Sequence, residues 1–276
     1  MKVPVVVRAL IIGLIVALVP ANVWPLLLGT LGVPLGSGVE ILFLALFLWW
    51  VSGNGPPRSN QNSRRSAFRC PILSQGQWPW GLLVASLFAA TIHTAIVVLF
   101  RLVPYPAESF RHGYDISFVP SLSLQWVAIV ISAASAAICE ETGFRGYMQQ
   151  PIEQRFGIVT GVLISSFFFT LVHLNKSWAL LGMIPIVFGA GVLLGLIAWA
   201  SGSLIPGMIG HFVMDVGLFA YWWTGLAGNF AAKPITETGL DRPFLVTCLA
   251  LMILLPILIL AIGKLRRISS IRPASI

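Results

Sequence analysis

The chain has 276 residues, 57% of them hydrophobic and only 9% charged, where a soluble domain carries roughly 25% charged residues. A mean hydropathy of +0.91 and repeated apolar runs of membrane-spanning length exclude an ordinary soluble domain, and no period-two alternation supports a membrane β-barrel. The net charge of +8 does not describe a nucleic-acid surface, because the basic residues sit at the ends of apolar runs and no basic face interleaves with aromatics.

Eight apolar spans are predicted, near residues 5–29, 36–52, 77–101, 122–148, 157–174, 180–200, 204–224 and 243–263. The expected fold class is all-α and polytopic, with about eight transmembrane helices around an intramembrane polar cavity. The start, MKVPVVVRALIIGLIVALVP, has the basic beginning and apolar stretch of a secretory signal. No A-x-A site follows and apolarity continues from Trp24 to Leu31, so an uncleaved first helix is expected. The second span is the shortest. After it comes SGNGPPRSNQNSRRSAFRC, residues 52–70, with Arg58, Arg64, Arg65 and Arg69. Its Pro, Gly, Asn and Ser content reads as a mobile cytoplasmic loop. It separates two N-terminal helices (residues 1–75) from a six-helix region (76–276) whose chemistry lies at about 120–220.

With the N-terminus inside, the inner segments collect twelve of the seventeen basic residues. The outer segments collect five: Arg101, Arg111, Lys176, Lys233 and Arg242. That asymmetry puts both termini in the cytoplasm. Trp49/Trp50, Trp78/Trp80 and Trp222/Trp223 fall at span ends, where an aromatic belt belongs. Cys70, Cys139 and Cys248 are far apart and form no metal spacing, so they read as small apolar fillers. Gly182, Gly189, Ala190, Gly191 and Gly195 are expected to let the helices around the cavity pack closely.

Five polar residues stand out in three apolar helices: Glu140, Glu141, His173, His211 and Asp215. Unpaired, the ionised groups of Glu140, Glu141, Arg145 and Asp215 would together cost on the order of 10–14 kcal/mol at the bilayer centre. They must therefore face one another or water. Glu141 and Arg145 are four apart, acid first, which suits an ion pair. His211 and Asp215 share that spacing, so the carboxylate can orient the imidazole. Phe169 lies one turn below His173. In a hairpin turning at Phe156-Gly157, Glu140 and His173 are sixteen and seventeen residues from the turn and therefore level, roughly 25 Å from it.

One site can thus gather a carboxylate from one helix, an imidazole from a second, and an imidazole backed by a carboxylate from a third. Glu140, His173 and His211 could hold a divalent metal, zinc foremost, with a position left for water. Alternatively, a buried glutamate activates water without metal while the histidines stabilise an oxyanion. A proton-coupled carrier or a scaffold retaining the polar set is the competing class, although no internal repeat of the transporter kind is present. His93, alone in its helix, reads as a hydrogen-bonded helix contact.

EETGFRG at 140–146, FTLVH at 169–173 and HFVMD at 211–215 occur in that order, and FGAGVLLGLIAWASGSLIPGMIGH precedes the last of them. These motifs resemble those of the CPBP family of intramembrane proteases: CAAX-type prenyl endopeptidases and bacteriocin-processing (Abi) relatives. The resemblance covers about 120–220. It implies a membrane-embedded endopeptidase acting on a membrane-associated peptide or protein, prenylated or not, in a bacterial-type plasma membrane. Among its residues, Glu140 would activate water and Glu141 would assist it or brace Arg145. His173 and His211 would be metal ligands or oxyanion stabilisers, and Asp215, an aspartate where asparagine also occurs, would orient His211 or bind water. The family is described both as metal-dependent and as glutamate-dependent. No H-E-x-x-H zinc helix or G-x-G-D pair competes, and Ser37 in Gly36–Gly38 has no evident histidine partner.

Overall fold

Long apolar runs leave the backbone no partner but itself, so in a membrane they form helices. A computed structural model describes residues 4–113, 115–174 and 182–270. Lys2, Lys176 and Arg272 of the charge count, and the start of the expected 180–200 span, lie outside the described residues. Among those described there is no strand.

The helices are α1 (Val5–Ala21), α2 (Val23–Val51), α3 (Gln61–Phe68), α4 (Gln77–Leu102), α5 (Ala107–Gly113) and α6 (Leu122–Glu140). After α6 the same rod continues as a π-helix, Glu141–Gln149, and then as α7 (Gln150–Phe156). There follow α8 (Ile158–His173), α9 (Met183–Ser201), α10 (Ile205–Gly217) with a π-helical turn at Leu218–Trp223, α11 (Ile235–Thr238) and α12 (Arg242–Ser270). Among the described residues, five stretches are long and apolar enough to cross a membrane: 5–51, 77–102, 122–156, 183–201 and 242–270, with 158–173 a shorter apolar helix. The protein is an all-α polytopic membrane protein. Leu35, Leu42 and Leu46 of α2 and Leu249, Met252 and Leu260 of α12 point outward, as lipid-facing side chains do.

The first expected span, 5–29, is divided. α1 ends at Ala21, with Asn22 as its cap, and Gly32 adopts φ 68°, a left-handed conformation open to glycine, so α2 bends there into two helical pieces. The main core lies between α4, α6, α9, α10 and α12. At one end it closes on an aromatic group in which Phe100, Tyr105, Phe110, Trp222 and Phe230 meet edge to face or tilted. Arg101 at the end of α4 reaches Asp241 at 2.7 Å. That hydrogen bond, aided by the Phe244 amide, holds the Asp241 carboxyl below its usual range.

α1 packs chiefly against the π-helix. A Cβ on Gly143 would strike Ala17 and lie 2.6 Å from the Gly13 carbonyl oxygen. Because both neighbours belong to helical backbone, Gly143→Ala is expected to destabilise the fold toward or beyond the upper end of about 1–3 kcal/mol. Gly189, expected to serve close packing, meets no described residue beyond its own helix within 4 Å of where a Cβ would stand. Gly189→Ala is therefore the control, and thermal unfolding in detergent should separate the two variants clearly.

The 52–70 segment, read as mobile, is organised around one side chain. Arg64, 3% exposed, donates to the carbonyls of Trp50, Asn54, Gly55 and Pro57 and to Asn60 Oδ1. The guanidinium satisfies carbonyls that a Pro/Gly-rich turn cannot pair internally. The segment then lies on the π-helix: a Cβ on Gly146 would be 2.8 Å from Ala67 O, and Arg69 pairs with Glu153 at 3.0 Å.

Candidate active site

The α-to-π switch falls at the acidic pair. Glu140 closes α6 and Glu141 opens the π-helix, whose i→i+5 bonding often marks functional sites. The sequence period implied an uninterrupted α-helix here. The two carboxylates then take separate partners, as their directions around the rod require.

Glu141 and Arg145 are fully buried and paired at 2.9 Å (Nη1 to Oε1). Arg145 Nη2 also donates to Gly191 O at 3.2 Å, and its guanidinium lies over the Phe169 ring, 4.3 Å from the centroid. The same Glu141 oxygen lies 2.9 Å from His211 Nδ1. His211 Nε2 is 3.4 Å from Asp215 Oδ2. The imidazole is thus fixed between a carboxylate of its own helix and one from the π-helix. Gly207 makes room for this group, since a Cβ there would sit 3.3 Å from Glu141 Oε2.

Glu140 faces His173 instead, with Oε2 to Nε2 at 3.9 Å. His173 Nδ1 is 2.7 Å from the Phe169 carbonyl. A carbonyl only accepts, so Nδ1 carries the proton and Nε2 is the nitrogen turned toward Glu140. The Phe169 ring lies 4.5 Å below the imidazole, tilted by 40°.

Glu140, His173, His211 and Asp215 line one pocket, with an empty volume of ≈ 620 Å³ counted through its open mouth. Its remaining wall is largely apolar: Ile92 and Ile96 from α4, Met183, Ile186 and Val187 from α9, Phe219 and Trp223 beyond α10. Glu141 and Arg145 do not line it; they stand behind it. Of the six residues singled out in the sequence, four therefore meet at the cavity and two brace them.

Among the described residues, no three His, Cys, Asp or Glu side chains are grouped to hold an ion. Both nitrogens of His211 already face carboxylates. His93 is a helix contact, with Nε2 3.1 Å from Met214 O and Trp222 Nε1 3.4 Å from its Nδ1.

Glu40 was missed. It lies on α2, is 0% exposed, and accepts a hydrogen bond from Ser135 Oγ at 2.8 Å. The signal was present, because LGSGVEILFLALFLWW places one acid in an apolar run.

A family model described as "Type II CAAX prenyl endopeptidase Rce1-like" matches residues 121–217, from the cap of α6 to the end of α10. The resemblance to CPBP and CAAX proteases carried by the three motifs is borne out over that region. No curated protein and no solved structure matches the chain.

Proposed function

We propose that this protein is an intramembrane endopeptidase that hydrolyses a peptide bond of a membrane-associated protein or peptide with water activated by Glu140. The observation that carries the proposal is the division of labour around the pocket. Glu140 and His173 face each other across it at 3.9 Å, while Asp215 in its wall and Glu141 behind it hold the second histidine, and Arg145 braces the π-helix from behind.

A gap of 3.9 Å is too long for a direct hydrogen bond, yet an oxygen placed beside both groups at about 2.8 Å spans it. Glu140 as carboxylate takes a proton from that water, and the resulting hydroxide adds to the scissile carbonyl carbon. As the imidazolium, with Nδ1–H held by the Phe169 carbonyl and a second proton on Nε2, His173 donates to the oxyanion of the tetrahedral intermediate. Glu140 then returns its proton to the leaving nitrogen as the C–N bond breaks. His211, locked by Glu141 and Asp215, presents a fixed dipole to the same cavity. No step is assigned to a metal.

The wall from α4 and α9 suits an apolar substrate segment. The matching family's description makes a prenylated C-terminal tail the first candidate, with an unmodified membrane peptide the alternative. The basic-residue asymmetry supports cytoplasmic termini, and the family resemblance makes a bacterial-type plasma membrane the expected location.

Comparing membrane peptides by mass spectrometry from cells making the protein or its Glu140→Gln variant tests this reading. A cleavage product found only with the intact glutamate supports it; identical peptide populations reject it. In purified, lipid-reconstituted protein, cleavage is expected to survive exhaustive chelation. Activity lost to chelator and restored only by a divalent ion would replace direct activation by Glu140 with a metal mechanism.

A further inference from the structure

The buried carboxylate of Glu40 has no part in the chemistry above. It lies in the membrane-crossing stretch 5–51, where an ionisable residue costs roughly 2.5–3.5 kcal/mol and leucine costs nothing. Among the described residues no basic side chain pairs with it. Its Oε1 accepts from Ser135 Oγ at 2.8 Å, while its Oε2 and the nearby Ser37 Oγ have no hydrogen-bond partner among the described residues. Ser135 lies one turn before Cys139 on the buried face of α6 and five residues before Glu140, so the cluster sits about a turn and a half from the glutamate at the pocket.

What Glu40 grips is the helix that delivers Glu140. Ala128, Ser132, Ser135 and Cys139 form a buried stripe on α6 at i, i+4, i+7 and i+11. α2 holds this helix at two polar points. Trp24 Nε1 donates to Ser132 Oγ at 2.6 Å, and Ser135 Oγ donates to Glu40 Oε1. The two anchors lie on opposite sides of the break at Gly32, so the bend brings both to one stripe. Elsewhere α6 packs through Ala133 and Ala137 together with Ile129, Trp126 and Ile131, apolar contacts that hold the helix in place without the directionality of a hydrogen bond. A 10° turn about the helix axis moves a group about 5.5 Å from that axis by about 1 Å. A displacement of that size costs about 100-fold when it misplaces a reacting group.

We infer that Glu40 is a positioning residue: through Ser135 it fixes the rotation of α6, and with it the spacing between Glu140 and His173. The inference rests on the hydrolytic reading for its kinetic consequence, but the geometry is measurable without turnover.

The test uses the full chain in lipid vesicles with Cys70→Ala and Cys248→Ala, leaving Cys139 as its one thiol. Glu40→Leu removes the acceptor. It should raise the rate at which a small membrane-permeant maleimide labels the buried Cys139 by about 10-fold, and lower kcat by about 10- to 100-fold with KM within about twofold. Ser135→Ala, which removes only the donor hydroxyl, should move both readouts in the same direction. Glu40→Gln keeps an oxygen at the Oε1 position and should stay within about threefold of the parent in both. A role confined to stability would lower the melting temperature and leave kcat per folded molecule unchanged. Glu40→Leu that labels and turns over like the parent overturns the inference. So does Glu40→Gln that fails as badly as leucine, since charge rather than the hydrogen bond would then be what matters. If the parent cleaves none of a panel of membrane-anchored peptides, the hydrolytic reading fails by itself and Cys139 labelling still decides the placement of α6. If Glu40→Leu does not fold, Ser135→Ala carries the same comparison.

Discussion

Glu140→Gln is expected to leave a folded protein whose kcat falls by about 10²–10⁴-fold, the range contributed by a positioned general base. Glutamine has the size and shape of glutamate, so the α6 terminus and its packing persist. The buried pair of Glu141 with Arg145 is untouched, and so is the contact of Glu141 with His211. Only the group that accepts the water proton is lost. His173→Ala should give a loss of similar order, because it removes the donor across the same 3.9 Å gap and opens the pocket above Phe169. KM should move little in the glutamine variant, since the apolar wall of α4 and α9 remains. The measurement is cleavage of a membrane-anchored peptide by reconstituted protein, with thermal unfolding as the folding control. Glu140→Gln turning over within tenfold of wild type would remove Glu140 from the chemistry.

Parts of this arrangement were legible in the sequence for physical reasons that operate within one helix or one hairpin. The Glu141–Arg145 and His211–Asp215 pairs follow from four-residue spacing. The meeting of Glu140 with His173 follows from counting rise on either side of Gly157. What escaped depends on relations between helices. A count based on 3.6 residues per turn assumes the α-helix and has no means of announcing nine π-helical residues. The link from His211 to Glu141 needs the relative depth of a third helix. Composition marks 52–70 as loop because Pro, Gly and Ser dominate it, yet one arginine's five donors order it, and those donors act on carbonyls whose positions the sequence does not state. Gly143 and Gly189 look alike in sequence; only the approach of α1 makes the first indispensable and the second incidental. Glu40 carried the same warning as Glu140, an acid where lipid should be, but no residue four positions away supplied a partner and no motif surrounded it.

Arg145→Met is expected to have the largest effect on stability, about 3–5 kcal/mol, because it leaves one member of a buried ion pair without its counter-charge. Both side chains are at most 1% exposed, so solvent cannot take over. The loss extends beyond Coulomb energy: the guanidinium also satisfies Gly191 O and covers the Phe169 ring, joining the π-helix to α9 and α8. Arg145→Lys should recover only part of this, since an ammonium on a flexible stem cannot reach the Glu141 carboxylate, the Gly191 carbonyl and the ring face together. Glu141→Leu combined with Arg145→Met should regain much of the stability by removing the orphaned charge. It should not regain turnover, because His211 would then be held from the Asp215 side alone. Unfolding in bicelles for the two single variants and the double variant gives the coupling between the residues, and kcat for the double variant separates bracing from chemistry. Arg145→Met within about 1 kcal/mol of wild type would mean that the pair is not buried in the protein as it stands in lipid.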